Sequence, residues 1–509
     1  MTRSQRGTLI ATIIASSMTF IDGTVINVAL PALQRGMNAT ITDVQWVIEA
    51  YALFLGSLLL VGGSLGDQLG RKRVFLAGVA IFTGASAACG FAPTPMLLII
   101  ARAVQGIGAA FLVPGSLAII TATFEGAERG RAIGTWSGFS AITTAIGPVG
   151  GGWLIEHTSW RAVFFINLPL AVVVVLLSLR CVAESKDPSR EGKIDWAGAA
   201  FAVLGLTGIV LGFLEWPTLG GRHPLVIGSL AGGAVALALL VATERRVRNP
   251  MLPLRLFRIR NFLLTNLLTL LLYAALAEVF FLLPLELIEV RGLTATAAGA
   301  ALLPLPVIMF VLSRWSGGLV DRVGARLPLT LGPAIAGIGF ALLARVAGSG
   351  SVTGSTLPAV VTTGLGMALT VAPLTTTVMN SVESVHSGVA SGVNNAVSRV
   401  AGLLAIAIFG VVVAHVFAAR IETRLGHIPL DASARPALDR ELTKMAGANL
   451  AAVPDLAPAS RDAVRTAIGQ SFGAAYRVAI YGAAALAVAA AIIGFAVVSS
   501  SNARLSPKE

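Results

Sequence analysis

Charged residues are scarce in this chain, and their scarcity excludes most classes of soluble protein. Asp, Glu, Lys and Arg make up 12% of the 509 residues, whereas hydrophobic residues make up 55%. Soluble domains usually contain about 25% charged residues. In a soluble protein the formal net charge of +12 would suggest nucleic-acid binding. Here the long apolar runs instead indicate a protein of the lipid bilayer, with no nucleic-acid partner.

Several patterns that carry catalysis or bind metals are also missing. The two cysteines are far apart and the five histidines show no zinc-ligand spacing, so neither a disulfide framework nor a metal site is predicted. The chain lacks both G-x-x-x-x-G-K-[ST] and G-x-S-x-G. These absences argue against a membrane enzyme and against an ATP-driven pump, unless a separate subunit supplies ATP hydrolysis. Having only four tyrosines argues against an aromatic cage for quaternary ammonium, although seven Trp and 22 Phe leave it open.

Long apolar runs divide the chain into membrane spans of about 20 residues. The first apolar run comes directly after the basic residues Arg3 and Arg6, which is the order of segments found in a signal peptide. Its length and the presence of Asp22 instead favour an uncleaved membrane span. The sequence predicts an all-α integral membrane protein of fourteen helices, with a weak boundary before the fifth. The predicted spans are 8–31, 46–66, 74–92, 96–122, 132–155, 162–182, 196–215, 223–243, 262–288, 295–319, 327–347, 355–379, 387–418 and 474–499.

The distribution of Lys and Arg predicts the orientation of these spans. With the N-terminus inside, the inner segments hold twenty-one of these residues and the short outer loops hold five. Because cytoplasmic loops are enriched in Lys and Arg, both termini are expected in the cytoplasm. The expected location is the cell's inner membrane.

One sequence element occurs twice. GSLGDQLGRKR at 63–73 returns as GGLVDRVGAR at 317–326, each time after the second span of a half. Such parallel repeats are typical of secondary transporters. The sequence therefore predicts a six-helix half at 1–190, two additional helices at 191–250, and a second six-helix half at 251–509.

The repeated element resembles the signature loop of the major facilitator superfamily, and further motifs resemble its fourteen-span drug:proton antiporters. These motifs are IDGTVINVALPAL, DVQWVIEAYAL, LLIIARAVQGIGAA, IGPVGGGWL and WRAVFFINLP. The resemblance implies the major facilitator fold, no cofactor, and export of small molecules by alternating access, driven by a proton gradient. Lipophilic cations are the expected substrates. An endogenous lipid, siderophore or metabolite remains an alternative, as does a ligand sensor with a transporter fold.

Four ionisable residues are predicted to lie at one level of the membrane. At 1.5 Å per residue, Asp22 is about 24 Å from the inner end of span 1 and Glu278 about 26 Å along its own span. Glu49 and Arg102 enter from the outer side and lie roughly 9 and 10 Å deep. These four are the proton-coupling candidates.

Asp22 is the expected proton carrier, because its position matches the acid that the resemblance implies in span 1. An ionised Asp in a span costs roughly 2.5–3.5 kcal/mol, so it needs a function or a partner. The alternative is a permanently charged partner of Arg102, which matches the arginine expected in span 4. Glu49 and Glu278 are candidates for binding substrate or a second proton. Glu286 and Glu289 are candidates for a substrate-binding outer mouth, with a solvated helix end as the alternative.

Other residues are candidates for gating. Arg399, about 18 Å into its span, could bridge to a carboxylate of the other half or bond helix carbonyls. By resemblance, the repeated loop latches the halves on the inner side, and its residues are Asp67, Gly70, Arg71, Asp321 and Arg322. In IGPVGGGWL, the spacing of Gly147 and Gly151 allows close approach of a neighbouring helix, and Pro148 favours a kink.

The outer segment 420–473 contains the pieces RPALDRELTKMAG and RDAVRTAIGQSFG, which have helical spacing. A solvated connector is the simplest interpretation. A short helical cap, or a docking surface for an outer or periplasmic partner, is the alternative.

Overall fold

The computed structural model describes residues 1–186, 195–247, 252–348, 351–382, 387–454 and 456–497. These residues form helices and loops without a strand. Among the described residues, thirteen helical segments are long and apolar enough to cross a membrane. The glycine-rich α5 (Gly126–His157) is less apolar, but it packs along α1 (Arg3–Met37) and brings the number of long helical segments to fourteen. The predicted all-α membrane fold is confirmed.

The N-terminal half begins with two helices whose starts are specified locally. Thr2 caps α1 in a capping box with Gln5, and Thr40 caps α2 in the same way with Asp43. Between these helices Asn38 adopts a left-handed conformation with φ 55°, which ends α1 and reverses the chain. The half comprises α1, α2 (Ile41–Leu69), α3 (Arg71–Phe91), α4 (Pro95–Thr123), α5, and the span Ala162–Cys181, formed by α6 (Ala162–Phe165) and α7 (Asn167–Cys181).

The C-terminal half repeats the neighbour relations of the first half. As α1 packs on α5 and α7, so α10 (Arg260–Leu285) packs on α16 (Ser387–Leu425) and α18 (Pro458–Ala496). As α3 packs on α4, so α14 (Arg326–Arg345) packs on α15 (Leu357–Asn380). This equivalence is what a parallel repeat predicts. The helices are α10 (Arg260–Leu285), α11 (Ala295–Leu302), α12 (Pro304–Gly317), α13 (Leu319–Val323), α14 (Arg326–Arg345), α15 (Leu357–Asn380), α16 (Ser387–Leu425), α17 (Arg435–Leu442) and α18 (Pro458–Ala496).

The two additional helices form a hairpin beside the junction of the halves. The helices α8 (Trp196–Leu219) and α9 (Pro224–Arg246) pack closely on each other, and α8 also contacts α2 and α16. Gly208 and Gly233 allow this close crossing, since a Cβ at Gly208 would lie 2.8 Å from the Gly233 Cα. The predicted boundaries at 190/191 and 250/251 fall outside the described residues.

The outer segment is a docked cap and not a solvated connector. It contains α17 and two short 3₁₀ helices, Met445–Gly447 and Leu450–Ala452. Leu438 and Leu450 are buried in the core of the protein. The second helical piece predicted from the sequence lies inside α18, which begins at Pro458 and continues into the membrane.

The cap belongs to the C-terminal half but rests on the N-terminal half. The ammonium group of Lys444 lies 2.5 Å from both the Asn38 Oδ1 and the Glu441 Oε1. The Gln34 side chain donates to the Lys444 carbonyl at 3.1 Å, and the Ile41 amide donates to the Thr443 carbonyl at 3.3 Å. The cap therefore holds the turn between α1 and α2.

Candidate functional site

The four predicted charged residues are all buried in the interior of the protein. Asp22 on α1, Glu49 on α2, Arg102 on α4 and Glu278 on α10 are each exposed by 1% or less. Three of them belong to the N-terminal half and Glu278 to the C-terminal half. The structure separates the four into an ion pair, Asp22 with Arg102, and two carboxyls for which the described residues provide no ion-pair partner.

Asp22 is held in a closed polar cluster with Arg102 and Gln105. The Arg102 Nη1 donates to the Asp22 Oδ2 at 2.5 Å, and the Gln105 Nε2 donates to the other carboxylate oxygen at 2.8 Å. The Arg102 Nη1 also donates to the Gln105 Oε1 at 2.8 Å. Because both carboxylate oxygens accept hydrogen bonds and one of the donors is charged, this arrangement stabilises ionised Asp22. In this arrangement Asp22 is the ion-pair partner of Arg102.

Arg102 has further partners that fix its position. Its Nε donates to the Val47 carbonyl at 3.0 Å, and its guanidinium lies 4.3 Å from the centre of the Tyr51 ring. A cation over an aromatic face in a desolvated site is a favourable contact. Its Nη2 is buried without a hydrogen-bond partner in the described residues.

Sequence reasoning missed Gln105 and Tyr51. Gln105 carries the clearer signal, since it is a polar residue within an apolar span and lies three positions after Arg102. Residues at this spacing are neighbours on one helix face.

Of the four central residues, Glu49 and Glu278 have no ion-pair partner in the described residues. Both carboxyl oxygens of Glu49 are buried and accept no hydrogen bond within the described part of the chain, and the same is true of the Glu278 Oε2. The two acids belong to opposite halves of the protein, Glu49 to α2 and Glu278 to α10. A buried pair of this kind can hold protons or bind a cation.

Arg399 forms neither of its two predicted contacts in the described residues. It is half-buried on α16. There its Cβ lies so close to α2 that a Cβ added to Gly56 would be 3.1 Å away. Within the described residues, no carboxylate of the N-terminal half and no helix carbonyl is within hydrogen-bond distance of its guanidinium. Arg399 is thus a positive charge at the junction of the halves that no ion pair in this part of the chain neutralises.

The two outer acids are both placed in ion pairs. Glu286 is fully buried, where its Oε1 accepts from the Arg291 Nε at 2.7 Å and from the Gly348 amide at 2.8 Å. Neither the predicted outer mouth nor the alternative of a solvated helix end fits Glu286, because it is enclosed by its own half. Glu289 lies 2.5 Å from the Arg35 Nη1 on α1 and so joins the outer ends of the two halves.

The described contacts of the inner signature loop lie within one half. The Arg71 Nη2 donates to Asp67 at 2.9 Å, and the Arg71 amide donates to the Ser185 carbonyl at 2.9 Å. Glu184 accepts from the Lys72 amide at 3.0 Å. Gly70 has φ 116°, and a Cβ there would meet the Glu184 carboxylate. Sequence reasoning missed Glu184.

In the repeated copy of this loop, Arg322 is exposed on α13. The side chain of Asp321 lies outside the described part of the structure.

The glycine motif of α5 faces two helices. A Cβ at Gly147 would collide with the Thr24 hydroxyl, and one at Gly151 would collide with Val25, both on α1. At the next position, Gly152 approaches the backbone of α11, where a Cβ would lie 2.6 Å from the Ala295 carbonyl oxygen. The motif therefore lies between α1 and the C-terminal half. Pro148 is inside the same helix.

Comparison with known proteins identifies the family. The sequence profile of the Major Facilitator Superfamily matches residues 12–406. The chain belongs to the major facilitator superfamily. It is therefore a multi-pass membrane transporter and not an enzyme.

Curated relatives are resistance and export proteins. The chain is 34% identical to the multidrug resistance protein Stp of Mycobacterium tuberculosis, over 84% of this chain and 79% of Stp. It is 33% identical to the lincomycin resistance protein of Streptomyces lincolnensis, over 80% of this chain and 84% of that protein. The tetracenomycin C resistance and export protein of Streptomyces glaucescens is 31% identical, over 80% and 76% of the respective chains. The predicted membership of the superfamily's drug-exporter branch is confirmed.

Solved structures support the same fold. A bacterial homologue of the human lysosomal transporter Spinster, in an inward-facing and unoccupied conformation, matches with a TM-score of 0.67 at 18% identity, over 98% of this chain and 99% of that one. The transporter PepTSo of the POT family matches with a TM-score of 0.62 at 13% identity, over 99% of both chains.

Proposed function

We propose that this transporter is an antiporter that exports lipophilic cations in exchange for protons. The observation that supports this most directly is that two buried acids from opposite halves, Glu49 and Glu278, have no ion-pair partner in the described residues. An enclosed carboxyl without a cationic partner is more stable protonated than ionised. When the site opens to water the acids lose their protons, and a positively charged substrate replaces those protons as the compensating charge.

The exchange follows from the limited charge that the site can hold. Two ionised carboxylates in one enclosed site repel each other, so in this proposal the empty closed state needs protons and the loaded state needs a cation. A state that holds the protons and the cation together is disfavoured. Release of the cation on one side of the membrane is therefore coupled to uptake of protons from that side. Movement of the halves about the site then exposes it alternately to the two sides.

In this proposal Asp22 stays ionised and organises the N-terminal half. Its charge is compensated by Arg102, and both of its oxygens accept hydrogen bonds. For Asp22 to carry a proton, this buried ion pair would have to open in another state of the cycle. Glu49 and Glu278 need no such rearrangement.

The proposed location is the bacterial inner membrane, with both termini in the cytoplasm. The excess of Lys and Arg in the inner segments supports this orientation. Export is supported by the relatives, which are proteins of multidrug resistance, of lincomycin resistance, and of tetracenomycin C resistance and export.

The test is substrate-dependent proton flux in sealed proteoliposomes under an imposed pH gradient, with ethidium as the cation. Wild type should show coupled flux, whereas Glu49→Gln and Glu278→Gln should each lose it. Glu422→Gln is the matched control, because Glu422 is an exposed acid in the outer part of α16, and it should behave as wild type.

Two results would contradict the proposal. Wild-type coupling in both Glu49→Gln and Glu278→Gln would remove these acids from the proton path and return the role to Asp22. Absence of ethidium-dependent flux in wild type, with the protein folded, would reject this cation as cargo. The search would then move to endogenous lipids, siderophores and metabolites.

A further inference from the structure

A cluster of exposed arginines lies where the additional helices join the C-terminal half. Arg245 and Arg246 end α9, a short 3₁₀ helix (Leu254–Arg258) follows, and α10 begins at Arg260. The 3₁₀ helix contacts α9, so the ends of these elements lie together. We call the following exposed residues the arginine cluster: Arg245, Arg246, Arg255, Arg258 and Arg260.

The arginine cluster is not neutralised by the described protein. None of its five guanidinium groups has an ion-pair or hydrogen-bond partner in the described residues. The neighbouring acid, Glu244, is buried, and its carboxylate accepts from the Leu252 amide at 3.1 Å. Five guanidinium groups therefore present donors outward from a short stretch of chain, without an acid among their described contacts.

The 3₁₀ helix is anchored so that its arginines stay at the surface. Leu256 is buried in the main core, and Phe257 packs against that core with its ring centre 5.2 Å from that of Phe262. Arg255 and Arg258 flank these two anchors and are exposed. The adjacent Ile259 is 38% exposed, so apolar and cationic surface occur side by side, as expected at the boundary between lipid tails and headgroups.

The surroundings of the cluster face lipid. The exposed side of α9 carries large apolar residues, including Ile227, Val235 and Leu239. A helix with this surface lies at the edge of the bundle, in contact with acyl chains. Because α9 ends in the cluster, a lipid beside α9 would have its headgroup at the level of Arg245 and Arg246.

We propose that the arginine cluster is a binding site for the headgroups of anionic phospholipids. Guanidinium groups suit phosphate because their fixed donors can bond two oxygens at once. The site would attach the junction between the additional helices and the C-terminal half to the membrane surface. This proposal does not depend on proton coupling or on the identity of the cargo.

The test measures lipid binding to the full-length purified protein by native mass spectrometry. Phosphatidylglycerol and phosphatidylcholine are titrated separately in detergent onto wild type and onto the triple variant Arg255→Gln/Arg258→Gln/Arg260→Gln. A basic residue at an anionic membrane surface contributes roughly a fivefold gain in affinity, so the triple variant should bind phosphatidylglycerol about a hundredfold more weakly. Phosphatidylcholine binding should not change.

The matched control removes the same number of arginines at the opposite ends of the spans. Arg222, Arg345 and Arg420 are also exposed, with no side-chain partner in the described residues, and their triple change to Gln should leave phosphatidylglycerol binding unchanged. Thermal unfolding of both variants without lipid checks that they are folded. Raising the salt concentration from 0.1 to 1 M should weaken the wild-type preference, since electrostatic screening shortens from about 10 to 3 Å.

Three results would overturn the proposal. The first is equal phosphatidylglycerol binding by wild type and the cluster variant. The second is an equal loss of binding in the control variant, which would indicate a general charge effect. The third is full competition by soluble glycerol phosphate at the same concentration as the lipid, which would indicate a site for free phosphate. Since none of these measurements uses a pH gradient or a transported compound, their failure leaves the proposed antiport activity untouched.

Discussion

Replacing Asp22 with Asn should destabilise the protein strongly, because Asp22 compensates a buried arginine. Asn has nearly the same size but no charge, and it offers one acceptor where Asp22 offers two. Arg102 would then be a buried cation without a counterion. Removing one partner of a buried ion pair costs about 3–5 kcal/mol. Arg102 keeps the Val47 carbonyl, the Gln105 oxygen and the Tyr51 ring, so we expect about 3 kcal/mol, or roughly two orders of magnitude in the unfolding equilibrium.

A double-mutant cycle separates the lost ion pair from lost packing. The variant Asp22→Asn/Arg102→Gln removes both charges, so it should be more stable than Asp22→Asn alone. The free energy of unfolding is measured by equilibrium unfolding in mixed micelles, followed by tryptophan fluorescence. Asp462→Asn is the control: its ion pair with Arg465 is largely exposed, and its loss should change the free energy of unfolding by less than about 1 kcal/mol.

Stability equal to wild type in Asp22→Asn would refute this reasoning. It would mean that Arg102 does not depend on the Asp22 charge, and hence that Asp22 is not needed in its ionised form in the resting protein. The hypothesis that Asp22 carries the transported proton would then be favoured over a fixed structural pair.

Two further substitutions test how the halves are assembled. Gly151→Ala should destabilise the protein by about 1–3 kcal/mol, because the added methyl group collides with Val25 of α1. Gly150→Ala is the control and should have little effect on the unfolding midpoint, because the new methyl group would lie 3.8 Å from the Ile146 side chain. Equal midpoints for the two variants would show that α1 and α5 can separate freely. Lys444→Met should leave the Glu441 carboxylate without its ammonium partner and so loosen the outer cap. Amide hydrogen exchange should therefore increase across 434–454. Unchanged exchange would show that apolar burial alone holds the cap.

The fold could be predicted because it depends on features that a single sequence contains. Apolar runs of about 20 residues give the spans, and the recurrence of the Asp67 element at Asp321 gives the two halves. The outer cap was less predictable. Leu438 and Leu450 look like scattered apolar residues in a polar segment, and only the docked position of that segment buries them.

The ion pair at Glu286 shows a second limit of sequence reasoning. Its partner, Arg291, is five residues later, a spacing that does not bring side chains together on an α-helix. The chain forms a π-helical turn at Glu286–Val290, and this wider turn accompanies the contact between the two side chains. A local change of helix type is not visible in apolar periodicity, so the sequence placed Glu286 at an outer mouth.

The central site shows why depth in the membrane is not enough to assign roles. The sequence places Asp22, Glu49 and Glu278 at one level with Arg102, but the arginine can fully compensate only one acid. Which acid it contacts depends on how α1, α2, α4 and α10 are rotated and packed, and rise per residue carries no information on that. In the structure Arg102 pairs with Asp22, whereas Glu49 and Glu278 have no ion-pair partner in the described residues. For the proposed proton exchange this difference favours Glu49 and Glu278, because protonating either of them breaks no described bond, whereas protonating Asp22 would break its ion pair with Arg102.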